Sequence, residues 1–435
     1  MIEQAKSRLL AAVETARKNG ASGARVIFRQ SERVGCEYDA GKLKEASTTQ
    51  SLSLEVTVIA DGRSGSAGGN DLAALDELTE RASALAKVGS EAHFSEYPPA
   101  GEPIEVPMHS AQTADLTREN LIDSCDRMVA AIKDFDTDLH ISASGSRSEN
   151  EKLIVTSGGV CESMRSTTWS MGNHVQKTGD DGDMLFAGES RSWGELADLL
   201  DPAYLASGTV RDVRRGSVIA EPLRGKAVAV FNPRVFSQLL GALVMGVNGR
   251  AVARGQSPLA DRIGERIFDE GITVSDDPHC PYAPGSSPMS NEGVPTRTMP
   301  LVEKGVLRHF LYDLDSAGLA GAEPTGHNGC RPYSLAVTPG QTPSDELIAD
   351  IDDGVYVSYL MGFGQGNLIN GDFSCNVGVG FRIRNGEIVG RVKNTMIAGN
   401  VYELLASGVK LSSDTEPTLR MPYAVIDGVS LSTEG

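Results

Sequence analysis

Positive charge is scarce in this chain. Its 40 Lys and Arg are outnumbered by 58 Asp and Glu, giving a formal net charge of −18 over 435 residues and a pI near 4.9. A groove that follows nucleic-acid phosphates needs the opposite balance, so no nucleic acid is expected as a partner. Aromatic residues are only 5%, too few to favour a base-stacking platform. Long apolar runs are missing as well. A membrane span needs about 18 apolar residues, and the longest run, Leu239 to Val247, is half that and is interrupted by Gly241 and Gly246. No membrane partner is therefore expected. The stretch MIEQAKSRLLAAVETARKNG carries charges throughout and no apolar segment, so it reads as an amphipathic helix and not as a signal peptide. Cys36, Cys125, Cys161, Cys280, Cys330 and Cys375 are scattered, with no CxxC pair. They are expected to be reduced thiols in a cytoplasmic protein.

Several catalytic signatures are also missing. There is no P-loop GxxxxGK[ST], no GxSxG nucleophile elbow and no HExxH zinc helix. The glycine cluster at 362–367, GFGQGN, opens no helix and sits in no βαβ unit, so it reads as a tight turn. His93-Phe-Ser-Glu96 comes nearest to a zinc helix, but Tyr97 stands where the second histidine would be.

Glycine, at 48 residues, is plentiful, which points to many turns and hairpins. The pattern is α+β. A helix is expected over 2–19, strands over 24–30 and 34–40, and a half-buried strand through Leu52, Leu54, Val56 and Val58 ending on the Asp61-Gly62 turn. A helix over 71–88 closes this first round. Residues 90–115, with Pro98, Pro99, Pro103 and Pro107, read either as a linker or as an extended edge segment. A second round follows, with a helix over 116–134, strands near 138–147, 152–157, 162–174 and 184–192, and a helix over 194–214. Trp169 and Trp193 fall on these strands and are read as packing residues. Residues 1–220 would form this N-terminal α+β domain. Residues 221–435 read as a β-rich domain with helices on its rim. It opens with the strand KAVAVFNP and a helix running from Pro233 through GALVMGVNG, its proline placed where a missing N–H is harmless. Hairpins are expected at Glu303-Lys304-Gly305 and Asn385-Gly386, and short helices at 343–351 and 399–407.

Two pairs carry ligand-type chemistry. His279-Cys280 follows Asp276-Asp277-Pro278, and His327 and Cys330 stand at i, i+3 in PTGHNGCRP. Together they offer mixed N, S and O donors. Against this, no metal-site spacing rule covers them. Asp276-Asp277-Pro278 is a good turn starter, and the structural reading is favoured, with Cys280 and Cys330 as small buried residues and both histidines capping loops.

The C-terminal half resembles the TldD/PmbA family. The motifs that carry the resemblance are Asp276-Asp277-Pro278, Gly285-Ser286, Glu292-Gly293-Val294-Pro295-Thr296, Leu301 to Leu307, Leu311-Tyr312-Asp313, Ser316-Ala317, Pro324-Thr325-Gly326, Gly371-Asp372-Phe373-Ser374, Asn385-Gly386-Glu387-Ile388 and Ile397-Ala398-Gly399-Asn400, in that order. The match is looser over 1–220. The resemblance implies a metallopeptidase family with two branches. The TldD branch carries HExxxH on a helix and a Cys ligand near its C-terminus. The PmbA/TldE branch lacks them and pairs with TldD. Laying HExxxH over the helix after Phe231-Asn232-Pro233 puts the first His at Gly241, the Glu at Ala242 and the second His at Gly246, and the last cysteine is Cys375. None of the three can ligate zinc or act as a base. The resemblance is therefore to the PmbA/TldE branch, with no cofactor in this chain and zinc in a TldD-like partner. One departure is Ser290-Asn291 before Glu292, where the family often has a further acidic residue. The small residues at 241, 242 and 246 would pack against neighbouring structure or against a partner.

Three functions follow as expectations. The first is a non-catalytic subunit that pairs with a TldD-like chain and helps enclose an extended peptide. The second is a peptidase with a site relocated to Asp276, Asp277, His279, Cys280, His327 and Cys330. The third is a free-standing homodimeric binding protein. The family's older names mention modulation of DNA gyrase; with a charge of −18, any such effect would be indirect.

Overall fold

The computed structural model describes residues 2–179, 183–196 and 201–433. The architecture is α+β, as the patterning implies. The first half runs α1 (Ile2–Lys18), β1 (Gly23–Asp39), β2 (Lys42–Ala60), β3 (Arg63–Gly69), α2 (Leu75–Ala86), β4 (Ser90–Glu91), α3 (Ala111–Ala114), α4 (Arg118–Phe135), β5 (His140–Thr156), β6 (Cys161–Thr178), β7 (Met184–Trp193) and α5 (Pro202–Gly216). Both helix-plus-meander rounds join in one antiparallel sheet, ordered β4-β3-β2-β1-β5-β6-β7. The seam is β1 against β5, so the opening strand of each round lies at the centre.

Period two decides which side chains are buried. Along β1, Ala24, Val26 and Phe28 share a core with α1 and α2, while Val34, Cys36 and Tyr38 on the same face share one with α4. The strands expected at 24–30 and 34–40 are therefore one 17-residue strand, as are those expected at 138–147 and 152–157. Their polar middles suggested breaks. Ser31 instead pairs with Ser51 on one side and Asn150 on the other, so its backbone is satisfied without apolar contact. The helix expected over 194–214 starts at Pro202, behind the N-cap Asp201; residues 197–200 of that expectation lie outside the described residues. Trp169 and Trp193 are directly opposed across β6 and β7.

The proline-rich segment is an ordered strap. Tyr97 is buried with Ile59 and Leu314, and the Pro107 carbonyl accepts from the Tyr282 N–H at 2.8 Å. It ties the first sheet to the C-terminal half.

The second half runs β8 (Gly225–Phe231), α6 (Pro233–Leu239), α7 (Gly241–Gly246), α8 (Gly249–Ala253), β9 (Val274–Asp276), β10 (Met299–Glu303), β11 (Val306–Leu307), α9 (Leu314–Ala320), β12 (Leu335–Val337), α10 (Ser344–Ala349), β13 (Asp353–Met361), β14 (Asp372–Arg384), β15 (Glu387–Arg391), β16 (Thr395–Asn400), α11 (Val401–Leu404), β17 (Lys410–Glu416) and β18 (Met421–Thr433). The order β13-β8-β18-β16-β14-β15 forms the main sheet, with β17 on β18; a further β13–β14 pairing makes it barrel-like. A four-stranded sheet, β11-β10-β9-β12, stands beside it. Phe231, Phe236, Leu239, Leu243, Phe373 and Ile397 lie in the core between them.

Both expected hairpin turns form. Lys304-Gly305 and Asn385-Gly386 take positive φ at both residues, the conformation such turns require. The single helix expected from Pro233 through Gly249 is instead three short helices. Asn248 ends the run because its side chain accepts from the N–H groups of Arg250 and Ala251, capping α8.

Candidate functional site

Three helices, α6, α7 and α8, follow β8 over the stretch onto which the family resemblance would lay a metal helix. Asn232 caps α6 through its side chain, which accepts from the Val235 N–H at 2.9 Å. Gly241, Ala242 and Gly246 all lie on α7. Beside Gly246 the space is taken: an added Cβ would stand 2.5 Å from the Tyr402 hydroxyl and 2.8 Å from Leu259. That hydroxyl donates to the Ala242 carbonyl at 2.9 Å, and Ser257 Oγ donates to the Gly246 carbonyl at 2.5 Å. At Gly241 an added Cβ would make only ordinary contact with Leu368, at 3.5 Å. Burial raises the Tyr402 phenol above its usual range, so it stays a neutral donor. The small-residue face of α7 thus packs against this chain's own α11 and the loop carrying Leu259. Zinc needs imidazole, carboxylate or thiolate donors around an open position. The residues at 241, 242 and 246 supply no donor, and Tyr402 fills the adjoining space; they do not fit the ion.

The six residues of the alternative site fall into separate networks. Asp276 and His327 are fully buried and paired, Nε2 donating to Oδ2 at 2.9 Å. Asp276 Oδ1 accepts from the N–H groups of Tyr333 and Ser334 at 2.8 and 2.7 Å. His327 Nδ1 lies 2.8 Å from Thr325 Oγ1. Cys330 places its Sγ 3.0 Å from Ser316 Oγ; burial pushes its thiol up.

Asp277 belongs to a third network, accepting from Thr298 Oγ1 and Arg420 Nη2, both at 2.9 Å. Burial opposes its ionisation, but those bonds and the His279 N–H hold its carboxyl below the usual range. His279 Nε2 sits 3.1 Å from Thr296 Oγ1, and Cys280 is half-buried with its thiol pushed up by burial. Among the described residues, no group of three or more His, Cys, Asp or Glu is arranged to hold a metal ion. Most of these side chains cross-link the loops between β9 and β12. His93, from the near-motif, pairs through Nδ1 with Asp315 at 3.2 Å.

Glu292 was legible only as part of a family motif. Its Oε2 accepts from the Leu314 N–H at 2.9 Å, at the start of α9. Burial, reinforced by Asp313 and Asp315, raises its carboxyl to about 7 despite that hydrogen bond and nearby Arg25. Ser290, preceding it, is buried and accepts from the N–H groups of Glu292 and Val294, which shapes the turn. Tyr402 and Leu259 had no local signal at all, since they meet α7 only in the folded chain.

Comparison with known proteins matches these features to one family. The profile described as the PmbA/TldA metallopeptidase C-terminal domain covers residues 224–433, and that of PmbA/TldA metallopeptidase domain 1 covers 24–86. The chain is 26% identical over 407 residues to metalloprotease PmbA of Escherichia coli O157:H7, covering 91% of this chain and 88% of that protein. It is 35% identical to a metalloprotease of Methanothermobacter thermautotrophicus over 190 residues, 41% of each chain. Its fold matches the crystal structure of TldE from Thermococcus kodakarensis with a TM-score of 0.89 at 22% identity, over 98% of this chain and 100% of that one. A proposed modulator of DNA gyrase from Bacteroides thetaiotaomicron matches with a TM-score of 0.87 at 25% identity, over 99% of each. With both profiles together spanning more than half of its length, the chain belongs to the PmbA/TldD family of metallopeptidase-like proteins.

Proposed function

We propose that this chain is the non-catalytic, TldE-like subunit of a two-component metallopeptidase that processes peptides in the cytoplasm. Its partner would be a TldD-like chain bearing HExxxH and the zinc. The observation that carries the reading is the plugged helix: Gly241, Ala242 and Gly246 offer no ligand or base, and the Tyr402 hydroxyl and Leu259 occupy the space beside Gly246. A chain with that arrangement contributes to proteolysis by assembly, by helping to hold an extended peptide against strand edges. Its net charge of −18 keeps DNA contact out of the reading.

The test is co-expression with an HExxxH-bearing homologue from the same genome. Co-elution, together with cleavage of an extended peptide that chelation abolishes, is the expected result. A chain that elutes only as a homodimer beside such a homologue would overturn it, as would zinc-dependent cleavage by this chain alone.

A further inference from the structure

Between the two main sheets lies a cavity of about 440 Å³ that no step above uses. Its walls come from β6, β7 and α5 on one side, and from the start of α6 and strands β13, β14, β17 and β18 on the other. That volume is in the range of small-molecule sites, which combine apolar walls with a few convergent polar groups.

The polar groups converge on Glu189. Arg234 Nη2 stands 3.7 Å from one carboxylate oxygen, and Arg211, whose Nε lies 3.5 Å from Asp212 Oδ1, holds its Nη2 3.9 Å from the other. These distances suit ion pairs but are too long for hydrogen bonds. Burial pushes the Glu189 carboxyl up even with the arginines beside it. Arg234 is itself held loosely, donating to the Ser190 carbonyl and hydroxyl at 3.3 and 3.4 Å.

Glycine makes the room. A Cβ at Gly208, inside α5, would stand 2.9 Å from Glu189 Cγ and Oε1; one at Gly378, inside β14, would stand 2.7 Å from the Tyr359 ring. Glycine within a helix or strand weakens that element, yet both positions keep it where it frees a lining side chain. Tyr204, Tyr359 and Tyr423 add aromatic wall.

A carboxylate and a guanidinium 3.7 Å apart, facing one space and not bonded to each other, complement a particular ligand. The ammonium and carboxylate of an α-amino acid sit on one carbon at a similar separation. We propose that this cavity binds a free α-amino acid with an aromatic or large apolar side chain. Its ammonium meets Glu189, its carboxylate meets Arg234 and Arg211, and its side chain lies among Tyr204, Tyr359 and Tyr423. The assignment does not rest on the peptidase-subunit reading, because every group belongs to this chain.

The experiment is calorimetric titration of the full chain alone with L-phenylalanine, beside L-phenylalaninamide and N-acetyl-L-phenylalanine, each of which lacks one charge. Saturable one-to-one binding of phenylalanine is expected, weakened at least about tenfold in each blocked analogue. Glu189→Gln and Arg234→Ala should each weaken it by a similar factor. Tyr359→Ala, on the half-exposed opposite wall, should reduce affinity for phenylalanine more than for alanine; it keeps the test decisive should either charge variant misfold. No binding up to millimolar phenylalanine would overturn the proposal. Equal binding of the blocked analogues, or affinities untouched in the folded variants, would do the same. Failure to co-elute with a TldD-like chain has no bearing on this result.

Discussion

The Tyr402 hydroxyl reaches across from α11 to the carbonyl of Ala242, 2.9 Å away, and in doing so closes the space beside Gly246. A side chain from α11 thus occupies the space beside a position onto which the resemblance would lay a zinc ligand. Gly246→Ala should destabilise the fold by about 1–3 kcal/mol through overpacking. Tyr402→Phe should cost about 1 kcal/mol through the lost hydrogen bond. Urea denaturation measures both. The double variant Gly246→Ala/Tyr402→Ala should be more stable than the summed effects of Gly246→Ala and Tyr402→Ala measured singly, because the clash with the hydroxyl is relieved. Strict additivity would contradict the packing described.

The buried Asp276–His327 pair should behave as a structural clasp. Asp276→Ala strips acceptors from His327 and from the N–H groups of Tyr333 and Ser334 together. A loss of about 3–5 kcal/mol is expected. His327→Ala should cost nearly as much, and the double variant little more than either. If both single variants lie within about 0.5 kcal/mol of the parent, the clasp has no energetic role.

Glu292 makes stability depend on pH. Its carboxyl sits at about 7 in the folded chain against an ordinary 4.5. Below about pH 4.5 both states hold the proton, and this group's contribution is fully present. Between 4.5 and 7 the unfolded chain releases the proton first, so stability falls as pH rises; above 7 the loss is constant. Glu292→Gln removes this component. The stability difference between parent and variant should shift by about 1–3 kcal/mol between pH 4.5 and 8. Parallel pH profiles would refute the assignment.

Thiol reactivity should follow burial. Cys36, Cys125, Cys330 and Cys375 are buried, while Cys161 and Cys280 are half-buried. Burial also raises the thiols of Cys161 and Cys280, so even they should react more slowly than a free thiol. Labelling the native chain with a thiol reagent, followed by peptide mapping, should modify these two first. Early labelling of Cys330 would mean that the loops around His327 open.

Local chemistry made part of this structure readable in advance. Asn385-Gly386 and Lys304-Gly305 supply the positive φ that their turns need, and Leu52, Leu54, Val56 and Val58 alternate as a strand must. The break at Asn248 was also local, since asparagine is a strong cap, yet the continuous apolar stripe hid it. The long strands were less legible. Ser31, Glu32 and Arg33 carry no apolar signal, and only pairing to β2 and β5 keeps them extended.

The candidate site divides in the same way. The residues at 241, 242 and 246 told, from sequence alone, that no zinc ligand stands there, because ligation is a property of side-chain type. What fills the space is not a property of type. His327 and Cys330, three residues apart, looked like a pair. Folding gives His327 to Asp276, 51 residues away, and Cys330 to Ser316. The cavity around Glu189 draws on both halves of the chain and left no motif. The sequence by itself determined the family, the hairpins and the missing donors, since these depend on residue identity and on neighbours a few positions apart. Only the tertiary structure decided which buried polar group meets which, because that follows from how two sheets and their connecting loops close around one another.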